Sequence, residues 1–374
     1  MKWSAEQDAA LKAVSGWLKR PDRQIFRLFG YAGTGKTTLA RHFAESVDGE
    51  VLFAAFTGKA AQVMRSRGAE NARTLHSLIY RPRGEEASEE TGEVSPLFSL
   101  SRNSPVAKAS LVIVDECSMV DEELGRDLLS FGTPVLVLGD PGQLPPISGG
   151  GFFTEAEPDA LLTEVHRQAR DNPIIALAMD VRLGQTLDCG SYGDSAVISK
   201  SDVETDKVLA ADQVLVGLNR TRRRYNQRLR ELKGFAGSLP AAGDKLVCLR
   251  NNAQKGLLNG SLWQVTHVAA SKRKTLLGPS LAMVVKAEDE GPYGPSVKVK
   301  VAQAAFEGEG EIPWTVRRKF DEFDYGYALT THKAQGSQWD EVMLFDESFA
   351  FKEHRERWLY TAITRAAERI TIVR

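Results

Sequence analysis

Residues 24–47 read QIFRLFGYAGTGKTTLARHFAESV, in which an apolar run, a glycine-rich turn and a helical pattern follow one another. Gly30 to Thr37, GYAGTGKT, match G-x-x-x-x-G-K-[ST], a motif that belongs between a strand and a helix. Gly33 and Gly35 allow backbone N–H groups to wrap phosphate oxygens, and the N terminus of the following helix adds a positive potential. A chance glycine-rich turn would lack the flanking strand and helix, so the stretch predicts a phosphate-binding loop.

The first half of the chain continues this alternation of strand and helix. VLFAAFT leads into KAAQVMRSRG, and ASLVIVDE leads into EELGRDLLSFG before PVLVLGD. The alternation predicts a parallel sheet covered by helices. Residues 81–106 interrupt it with polar sequence punctuated by Gly and Pro, which indicates a loop or a small hairpin. Residues 243–316 contain short alternating runs and predict a small antiparallel barrel, after which α/β character returns.

Polar side chains follow the glycine-rich loop and a later strand. Lys36 would reach the β- and γ-phosphates, and Thr37 would bind Mg²⁺. LVIVDE ends a buried strand on Asp115, which is suited to Mg²⁺, and on Glu116, which is suited to deprotonating a water. Two acids at a strand end are often only a helix cap, but a hydrolase needs the second carboxylate for water and a kinase does not. The pair favours NTP hydrolysis.

A rigid turn at residues 139–146, GDPGQLPP, follows the apolar run PVLVLG. Pro and Gly restrict its backbone, so the amide of Gln143 is held in one direction. A glutamine in a turn is usually a solvated side chain. A strand parallel to that of Asp115 would instead deliver the turn beside the γ-phosphate, where a neutral amide can distinguish ATP from ADP.

Composition limits the class of protein. The 374 residues are 42% hydrophobic and 26% charged, a globular balance that suggests two or three domains. The formal net charge is −1, so a nucleic acid would be bound by local basic patches. The scattered Cys117, Cys189 and Cys248 favour a reducing cytoplasm and disfavour structural zinc. The charged start MKWSAEQDAALKAV is unlike a signal peptide, and no apolar run nears the ~20 residues of a membrane span.

Seven motifs occur in one order along the chain: GYAGTGKT, VDE, GDPGQLPP, EVHRQA, GDKLVCLRNNAQKGLLNGSLWQV, YALTTHKAQGSQWDEV and YTAITRA. This set resembles the superfamily 1 helicases, in particular the B branch of RecD-like and small Dda-type phage helicases, over nearly the whole chain. The resemblance implies an α/β fold of two RecA-like P-loop domains with parallel sheets and ATP in the cleft between them. It also implies single-stranded DNA across both domains, translocation from 5′ to 3′ and duplex unwinding.

The resemblance further implies domain boundaries and partners. RecA-like domain 1A would be residues 1–155, with a pin-like 1B insertion at 81–106. Domain 2A would be 156–242 and 317–374, and an SH3-like β-barrel, domain 2B, would be 243–316. We expect a compact monomer in the cytoplasm of a bacterial or phage-infected cell. It would act on single-stranded DNA and DNA forks, with replication or recombination proteins as partners of the barrel and no membrane association.

Nucleotide-site residues follow by matching motifs. Gln7 in SAEQDAAL would hydrogen-bond the adenine of ATP, and Gly336 would line the cleft. Arg167 in EVHRQA and Arg365 in AITRA would be arginine fingers, although outside this motif context either would be an ordinary salt-bridge partner. The predicted catalytic residues are Lys36, Asp115, Glu116, Gln143, Arg167 and Arg365, with Thr37 and Asp115 as the Mg²⁺ ligands. The predicted nucleotide contacts are Gln7, Gly30, Ala32, Gly33, Thr34, Gly35, Lys36, Thr37, Thr38 and Gly336.

The resemblance places candidate DNA contacts at 57–83 and at 330–333, and the excursion at 81–106 adds Phe98. A stripe at 57–83 interleaves basic residues with hydroxyls, which suits a single-strand groove, although a basic helix is usually only a solvated face. Phe98 is the candidate for an apolar wedge at the fork or, equally, for an anchor of its own loop. The run RTRRRYNQRLR at 220–230 is not assigned to DNA, because such a helix can turn one face to the core and the other to water. The predicted contacts are Thr57, Lys59, His76, Pro82, Phe98, Thr330, Thr331, His332 and Lys333.

Other functions remain open from the sequence. A translocase would strip proteins from single strands without unwinding, and an ATP-gated binding module or loader would act by conformation with slow hydrolysis. Glu116, Arg167 and Arg365 argue against the loader. RNA as the substrate also remains open, because no motif reads the 2′-OH.

Overall fold

The computed structural model describes residues 3–19, 23–87, 94–145, 151–164, 172–270, 279–288, 296–307 and 317–374, with the backbone alone described for 82–87, 94–97, 253 and 270. Contacts between residues divide the chain into two compact units. The first comprises Met1–Arg81, Ser99–Val203 and Ala334–Arg374, and the second comprises Pro82–Phe98 and Glu204–Lys333. No helix in the described ranges is long and apolar enough to cross a membrane.

Helices and strands alternate along much of the described chain. The α-helices are α1 (Ala5–Lys19), α2 (Lys36–Glu45), α3 (Gly58–Ser66), α4 (Leu75–Ile79), α5 (Glu122–Leu129), α6 (Pro173–Arg182), α7 (Thr205–Ala210), α8 (Asn219–Leu232), α9 (Ala304–Glu307), α10 (Thr331–Ala334) and α11 (Arg355–Ile363). The strands are β1 (Ile25–Gly30), β2 (Val51–Ala55), β3 (Arg73–Thr74), β4 (Tyr80–Ala87), β5 (Val94–Leu100), β6 (Leu111–Asp115), β7 (Val135–Gly139), β8 (Ala160–Leu162), β9 (Gly190–Tyr192), β10 (Ser195–Ile198), β11 (Gln213–Val216), β12 (Lys245–Cys248), β13 (Leu262–Ala270), β14 (Ser280–Ala287), β15 (Ser296–Ala302), β16 (Phe323–Tyr325), β17 (Ala328–Thr330), β18 (Trp339–Phe345) and β19 (Ala366–Val373).

The first unit holds a six-stranded parallel sheet in the order β3-β2-β6-β7-β1-β8. Its central strands are apolar runs, LVIV in β6 and VLVLG in β7, and both runs are buried along their length. Such runs are typical of strands that helices cover on both faces. The predicted α/β class with a parallel sheet is confirmed.

Alternate residues of β6 belong to two separate cores. Leu111 and Ile113 pack with α1, α2 and α3, whereas Val112 and Val114 pack with α4 and α5. This division follows from the two-residue period of a strand, which sends neighbouring side chains to opposite faces. Since all of these strands are parallel, β1, β6 and β7 end at the same edge of the sheet.

Four further strands of the first unit pair in the order β18-β19-β10-β9. β18 and β10 pair with β19 in parallel, and β9 pairs with β10 antiparallel. α11 packs against α6 and buries Trp358 completely. Because α11 ends at Ile363 and β19 begins at Ala366, Arg365 lies in the short connection between them.

The second unit contains a five-stranded antiparallel sheet in the order β15-β14-β13-β12-β16. Four of these strands lie within 243–316, where the alternating pattern predicts antiparallel strands, and β16 follows. Elsewhere in this unit β11 and β17 pair in parallel. β4 and β5 form a two-stranded sheet within the stretch 81–106 that the sequence predicts as a loop or hairpin, with β4 beginning one residue earlier.

The arginine-rich helix α8 of the second unit turns one face inward. Its buried residues are Arg222, Asn226, Leu229 and Arg230, at the spacing of one side of a helix. Arg222 Nη1 lies 2.7 Å from Asp324 Oδ2. Two of the six arginines of this run are therefore structural.

Arg230 is held by a buried carboxylate. Its Nε and Nη2 donate to Oδ1 and Oδ2 of Asp244 at 2.8 and 2.9 Å. The Tyr327 hydroxyl and the Ala241 N–H also donate to Asp244, each at 2.8 Å. Both charges of this pair are therefore satisfied away from solvent, and the loss of either would leave the other buried without its partner.

We expect Asp244→Ala to destabilise the second unit, because it leaves the buried guanidinium of Arg230 without its counter-ion, a change that typically costs about 3–5 kcal/mol. Thermal unfolding followed by circular dichroism should show a lower melting temperature. The matched control is Arg228→Ala on the same helix, whose ion pair with Glu231 is exposed and should contribute little. Equal melting temperatures for Asp244→Ala and Arg228→Ala would contradict this assignment.

Candidate nucleotide site

The glycine-rich loop joins β1 to α2 in the first unit. Gly33 and Gly35 have φ of 78° and 81°, in the left-handed region that favours glycine. A Cβ at Gly30 would lie 2.7 Å from Thr34 Oγ1 and 2.8 Å from Leu162 Cβ. Gly33 and Gly35 are therefore required by their backbone conformation, and Gly30 is required because a side chain there would clash.

A cavity of about 690 Å³ opens at this loop, within the size range of small-molecule sites. The predicted catalytic residues among those that line it are Lys36, Asp115, Glu116, Gln143 and Arg365. Ala32, Gly33, Gly35, Thr37, Thr38 and Gly336, which the sequence predicts as nucleotide contacts, line it as well. The first unit thus brings five of the six predicted catalytic residues to one cavity, and the sixth, Arg167, lies outside the described residues.

The lysine and threonine of the motif are held by their neighbours. Lys36 Nζ donates to the carbonyl oxygens of Gly30 and Tyr31 at 2.6 and 2.8 Å. The Thr37 hydroxyl donates to Asp115 Oδ2 at 3.1 Å. The strand end of β6 and the first turn of α2 thereby place a hydroxyl and a carboxylate side by side, two of the oxygen ligands that Mg²⁺ prefers.

Gln7 and Gly336 approach the loop region from opposite ends of the chain. The Gln7 side-chain amide is buried, donates to Thr34 O at 3.0 Å and accepts from Ser4 N–H at 3.0 Å. Gly336 has φ of 75°, and a Cβ there would lie 3.0 Å from Ala60 Cβ. Gln7 therefore braces the phosphate loop through Thr34, and a contact with adenine stays a prediction.

Glu116 follows β6 in an uncommon conformation. Its φ and ψ of 53° and 45° lie in the left-handed region, which residues with a side chain seldom adopt. Burial raises the pKa of its carboxyl above the ordinary value, while the Arg365 guanidinium opposes this rise and Asp115 adds to it. The backbone turn places this acid at the cavity, and its burial there favours the protonated form.

Arg365 is buried, with 6% of its surface exposed, and faces Glu116. Its Nε donates to Thr361 O at 3.1 Å, its Nη1 to Ser337 O at 3.3 Å, and its Nη2 to Thr364 Oγ1 at 3.1 Å. Nη1 also lies 4.0 Å from Glu116 Oε1. The carbonyl and hydroxyl contacts orient the guanidinium, and the acid opposite supplies the compensating charge.

The turn after β7 holds Gln143 at the cavity. The Gln143 N–H donates to Asp140 O at 3.1 Å, which closes the turn, and the side chain is 8% exposed. Within the described residues, Gln143 Oε1 has no hydrogen-bond partner. A buried amide oxygen without a partner is costly, so this group is suited to bind something that enters the cavity.

Asp140 and Tyr360 are site residues for which the sequence analysis assigns no role. The Tyr360 hydroxyl donates to Asp140 Oδ2, and the Ala32 N–H of the phosphate loop donates to that same hydroxyl at 3.1 Å. One signal was available, since an acid comes directly after the apolar run of β7, as it does after the apolar run of β6. The pairing with a tyrosine 220 positions later had no local signal.

Predicted DNA contacts of the first unit are Thr57, Lys59 and His76. The Thr57 hydroxyl caps α3 by accepting from Ala60 N–H at 3.1 Å, and Lys59 lines the nucleotide cavity. The His76 ring lies between the rings of Phe56 and Tyr80, at centroid distances of 6.0 and 5.6 Å. Each therefore has a role within the protein, and contact with DNA stays a prediction for all three.

The remaining predicted DNA contacts belong to the second unit. Phe98 is 55% exposed, whereas the side chain of Pro82 lies outside what the structure describes. Thr330 and Thr331 are buried, and His332 and Lys333 are partly exposed. Burial lowers the pKa of the Lys333 ammonium, and the nearby Arg222 lowers it further.

Two family models match the chain. An AAA domain matches residues 2–202, which include the phosphate loop, Asp115, Glu116 and Gln143. A UvrD-like helicase C-terminal domain matches residues 325–373, which include Gly336 and Arg365. The two matched segments thus contain all the described residues that line the cavity.

Two curated helicases are similar to the chain in sequence. The ATP-dependent RecD2 DNA helicase of Deinococcus radiodurans is 29% identical over 98% of this chain and 48% of its own length. The ATP-dependent DNA helicase dda of Enterobacteria phage T4 is 33% identical over 42% of this chain and 37% of its own length. The chain therefore spans about half or less of the length of these relatives.

Solved structures share the fold. The Bacteroides Pif1 helicase in complex with ADP-AlF3 and ssDNA matches 99% of this chain and 92% of its own, with a TM-score of 0.58 and 18% identity. The Pif1 helicase of Candida albicans matches 100% and 95%, with a TM-score of 0.55 and 17% identity. Because the AAA-domain model matches more than half of the chain, the chain belongs to the AAA-domain family, and it is similar over nearly its whole length to an ATP-dependent RecD2 DNA helicase.

Proposed function

We propose that this chain is an ATP-dependent DNA helicase that moves along single-stranded DNA from 5′ to 3′ and couples ATP hydrolysis to unwinding of the duplex. The observation that carries the proposal is the approach of Arg365 to Glu116 in a cavity that also holds the phosphate loop. A general base, an arginine and a phosphate cradle in one cavity are the parts that NTP hydrolysis needs.

ATP would be held by its phosphates. The N–H groups of Gly33 and Gly35 and the first turn of α2 would face them, and Lys36 would exchange its two carbonyl partners for phosphate oxygens. Gln7 would contact the adenine, as the resemblance implies. This arrangement binds the common part of all nucleoside triphosphates, so the choice of base would rest on Gln7.

The residues present fit Mg²⁺. The Thr37 hydroxyl and the Asp115 carboxylate lie 3.1 Å apart, and the described residues contain no cluster of three His, Cys, Asp or Glu that would hold a metal alone. An ion bound through one or two protein oxygens and the substrate phosphates is the usual arrangement for Mg²⁺ in nucleotide hydrolases. When bound, it would neutralise charge on the phosphates.

Glu116 would remove a proton from the attacking water. The water oxygen forms the new bond to the γ-phosphorus, the bond to the leaving ADP oxygen breaks, and the proton passes to Glu116. Because burial raises the pKa of this carboxyl, it holds the proton more strongly than an exposed glutamate would. Arg365, and Arg167 as the resemblance implies, would stabilise the charge that develops on the transferred phosphoryl group.

Single-stranded DNA would contact the predicted residues of both units. Lys59 and Lys333 supply positive charge for phosphates, and His76 supplies a ring for stacking. Gln143 would sense the γ-phosphate by donating from its side-chain NH2, because the amide is buried at the cavity, and its oxygen would accept from a donor such as water. Hydrolysis and release of phosphate would remove the contact between the γ-phosphate and the Gln143 turn. We propose that this change in contacts drives movement along the DNA.

The second unit would supply the unwinding elements. The two-stranded sheet β4–β5 is proposed as the pin, with the exposed ring of Phe98 as its apolar wedge. The five-stranded antiparallel sheet is proposed as the SH3-like domain. Separating one base-pair step costs about 1.4 kcal/mol of stacking, which a wedge combined with forward stepping can supply.

Strand displacement with ATP and Mg²⁺ on two duplexes, one with a 5′ single-strand tail and one with a 3′ tail, tests this function. We expect unwinding only from the 5′ tail. Unwinding only from the 3′ tail would contradict the proposed polarity. ATPase that single strands stimulate without unwinding of either duplex would identify a translocase instead.

Glu116→Gln should lower the DNA-stimulated turnover of ATP by about 10²–10⁴-fold while ATP still binds, because the amide cannot accept the proton of water. Phosphate release and binding of a fluorescent ATP analogue measure the two effects separately. Glu122→Gln is the control, since Glu122 lies on the exposed face of α5 beside Arg126. A Glu116→Gln variant with wild-type turnover would exclude Glu116 as the base.

Phe98→Ala should reduce duplex unwinding while the ATPase that single-stranded DNA stimulates stays within about twofold of wild type, because a wedge acts only at the fork. Phe349→Ala removes another exposed ring, 66% exposed in the first unit, and should change neither activity. If Phe98→Ala loses both activities to the same extent, Phe98 anchors its own loop.

A further inference from the structure

The Tyr360 hydroxyl is a junction of three segments of the first unit. Tyr360 lies on α11 and is 1% exposed. Its hydroxyl donates to Asp140 Oδ2 at the end of β7 and accepts from the N–H of Ala32 in the phosphate loop at 3.1 Å. One oxygen atom thereby links the phosphate loop, the turn that holds Gln143 and the helix that leads to Arg365.

Asp140 is held as firmly as the tyrosine. It is 2% exposed, and its Oδ1 accepts from Gly142 N–H at 2.9 Å and lies 3.5 Å from Arg182 Nη1. The Arg182 guanidinium also stacks on Tyr31 of the phosphate loop, 3.5 Å from the ring centroid. The contacts of Oδ1 therefore orient the Asp140 carboxylate independently of the bond that Tyr360 makes to Oδ2.

Two further hydrogen bonds, both made by Leu144, hold the Gln143 turn. The Leu144 N–H donates to Thr361 Oγ1 at 2.9 Å, and Gln335 Nε2 donates to Leu144 O at 3.1 Å. Consecutive residues of α11 thus bind the turn at 140–144, four and five positions before Arg365. The helix cannot shift relative to this turn without breaking bonds at both residues.

Tyr360 stays a hydrogen-bond donor over the working pH range. Burial raises the pKa of its phenol above the ordinary value, and the negative charge of Asp140 raises it further. The hydroxyl therefore keeps one proton to donate to Asp140 and one lone pair for Ala32 N–H. Its two partners come from the sheet that holds the phosphate loop, whereas Tyr360 itself comes from the helix before β19.

From these contacts we infer that Tyr360 and Asp140 form a latch that positions Arg365, so that the arginine reaches Glu116 only while the α11 helix is bonded to the phosphate loop and to the Gln143 turn. Tyr360 is thus a positioning residue for the hydrolysis proposed above, and the inference rests on that function.

Tyr360→Phe removes the hydroxyl and keeps the buried ring. We expect kcat of the DNA-stimulated ATPase to fall about 10- to 100-fold, the range of a hydrogen bond to a charged group, while KM for ATP changes less than about threefold. Residue-resolved hydrogen exchange without nucleotide should show the Ala32 amide exchanging about tenfold faster, because its acceptor is gone. Tyr192→Phe is the control, since the Tyr192 hydroxyl donates to Asp188 O on an exposed part of the same unit.

Asp140→Asn and the double variant complete the test. If the two residues act together, kcat of the double variant should be no lower than kcat of the more impaired single variant. Unchanged exchange at Ala32 in Tyr360→Phe would overturn the latch, whatever the ATPase does. Faster exchange at Ala32 with a wild-type kcat in Tyr360→Phe would overturn the positioning role. A kcat that falls together with the melting temperature would also overturn it, because the loss would then reflect stability. A wild-type chain without ATPase would instead overturn the proposed function, and the exchange data would still decide whether the latch exists.

Discussion

The carboxyl ends of β1, β6 and β7 must meet at one edge of a sheet that is buried on both faces, and the whole nucleotide site depends on that edge. Each strand delivers its polar residues where the apolar run stops: the phosphate loop after β1, two acids at the end of β6, and Asp140 after β7. Acids crowded at one edge repel one another. Lys36 and Arg365 offset that repulsion at Glu116, and Arg182 does so at Asp140.

Arg365 comes from a separate sheet of the same unit, and its position depends on packing. Burial of Trp358 and Tyr360 holds α11, and the backbone carbonyls of Thr361 and Ser337 aim the guanidinium. An arginine that is oriented before substrate binds loses little conformational entropy in the transition state. In the proposed mechanism, hydrolysis would therefore depend on the position of α11 through the short connection that carries Arg365.

The parts of the fold and site that could be predicted are those specified by residues close together in the sequence. The phosphate loop is contiguous in sequence, and the unbroken apolar run LVIV before Asp115 marks a buried strand that ends on an acid. Both could therefore be predicted from local sequence. The latch could not be predicted, because Tyr360 and Asp140 are 220 positions apart and a tyrosine within a helical pattern looks like an ordinary core residue. The inward face of α8 was anticipated only in outline, because local charge cannot reveal that Arg230 has a buried carboxylate as its partner.

The first unit is assembled from three separate stretches of chain, and this order has a consequence for its synthesis. The loop residue Ala32 and the helix residue Tyr360 are 328 positions apart. A ribosome adding 5–20 residues per second would need roughly 15–65 s between them. During that interval the nascent chain could hold a phosphate cradle but neither the tyrosine nor the arginine, so nucleotide turnover would begin only once the last stretch had been translated and had docked.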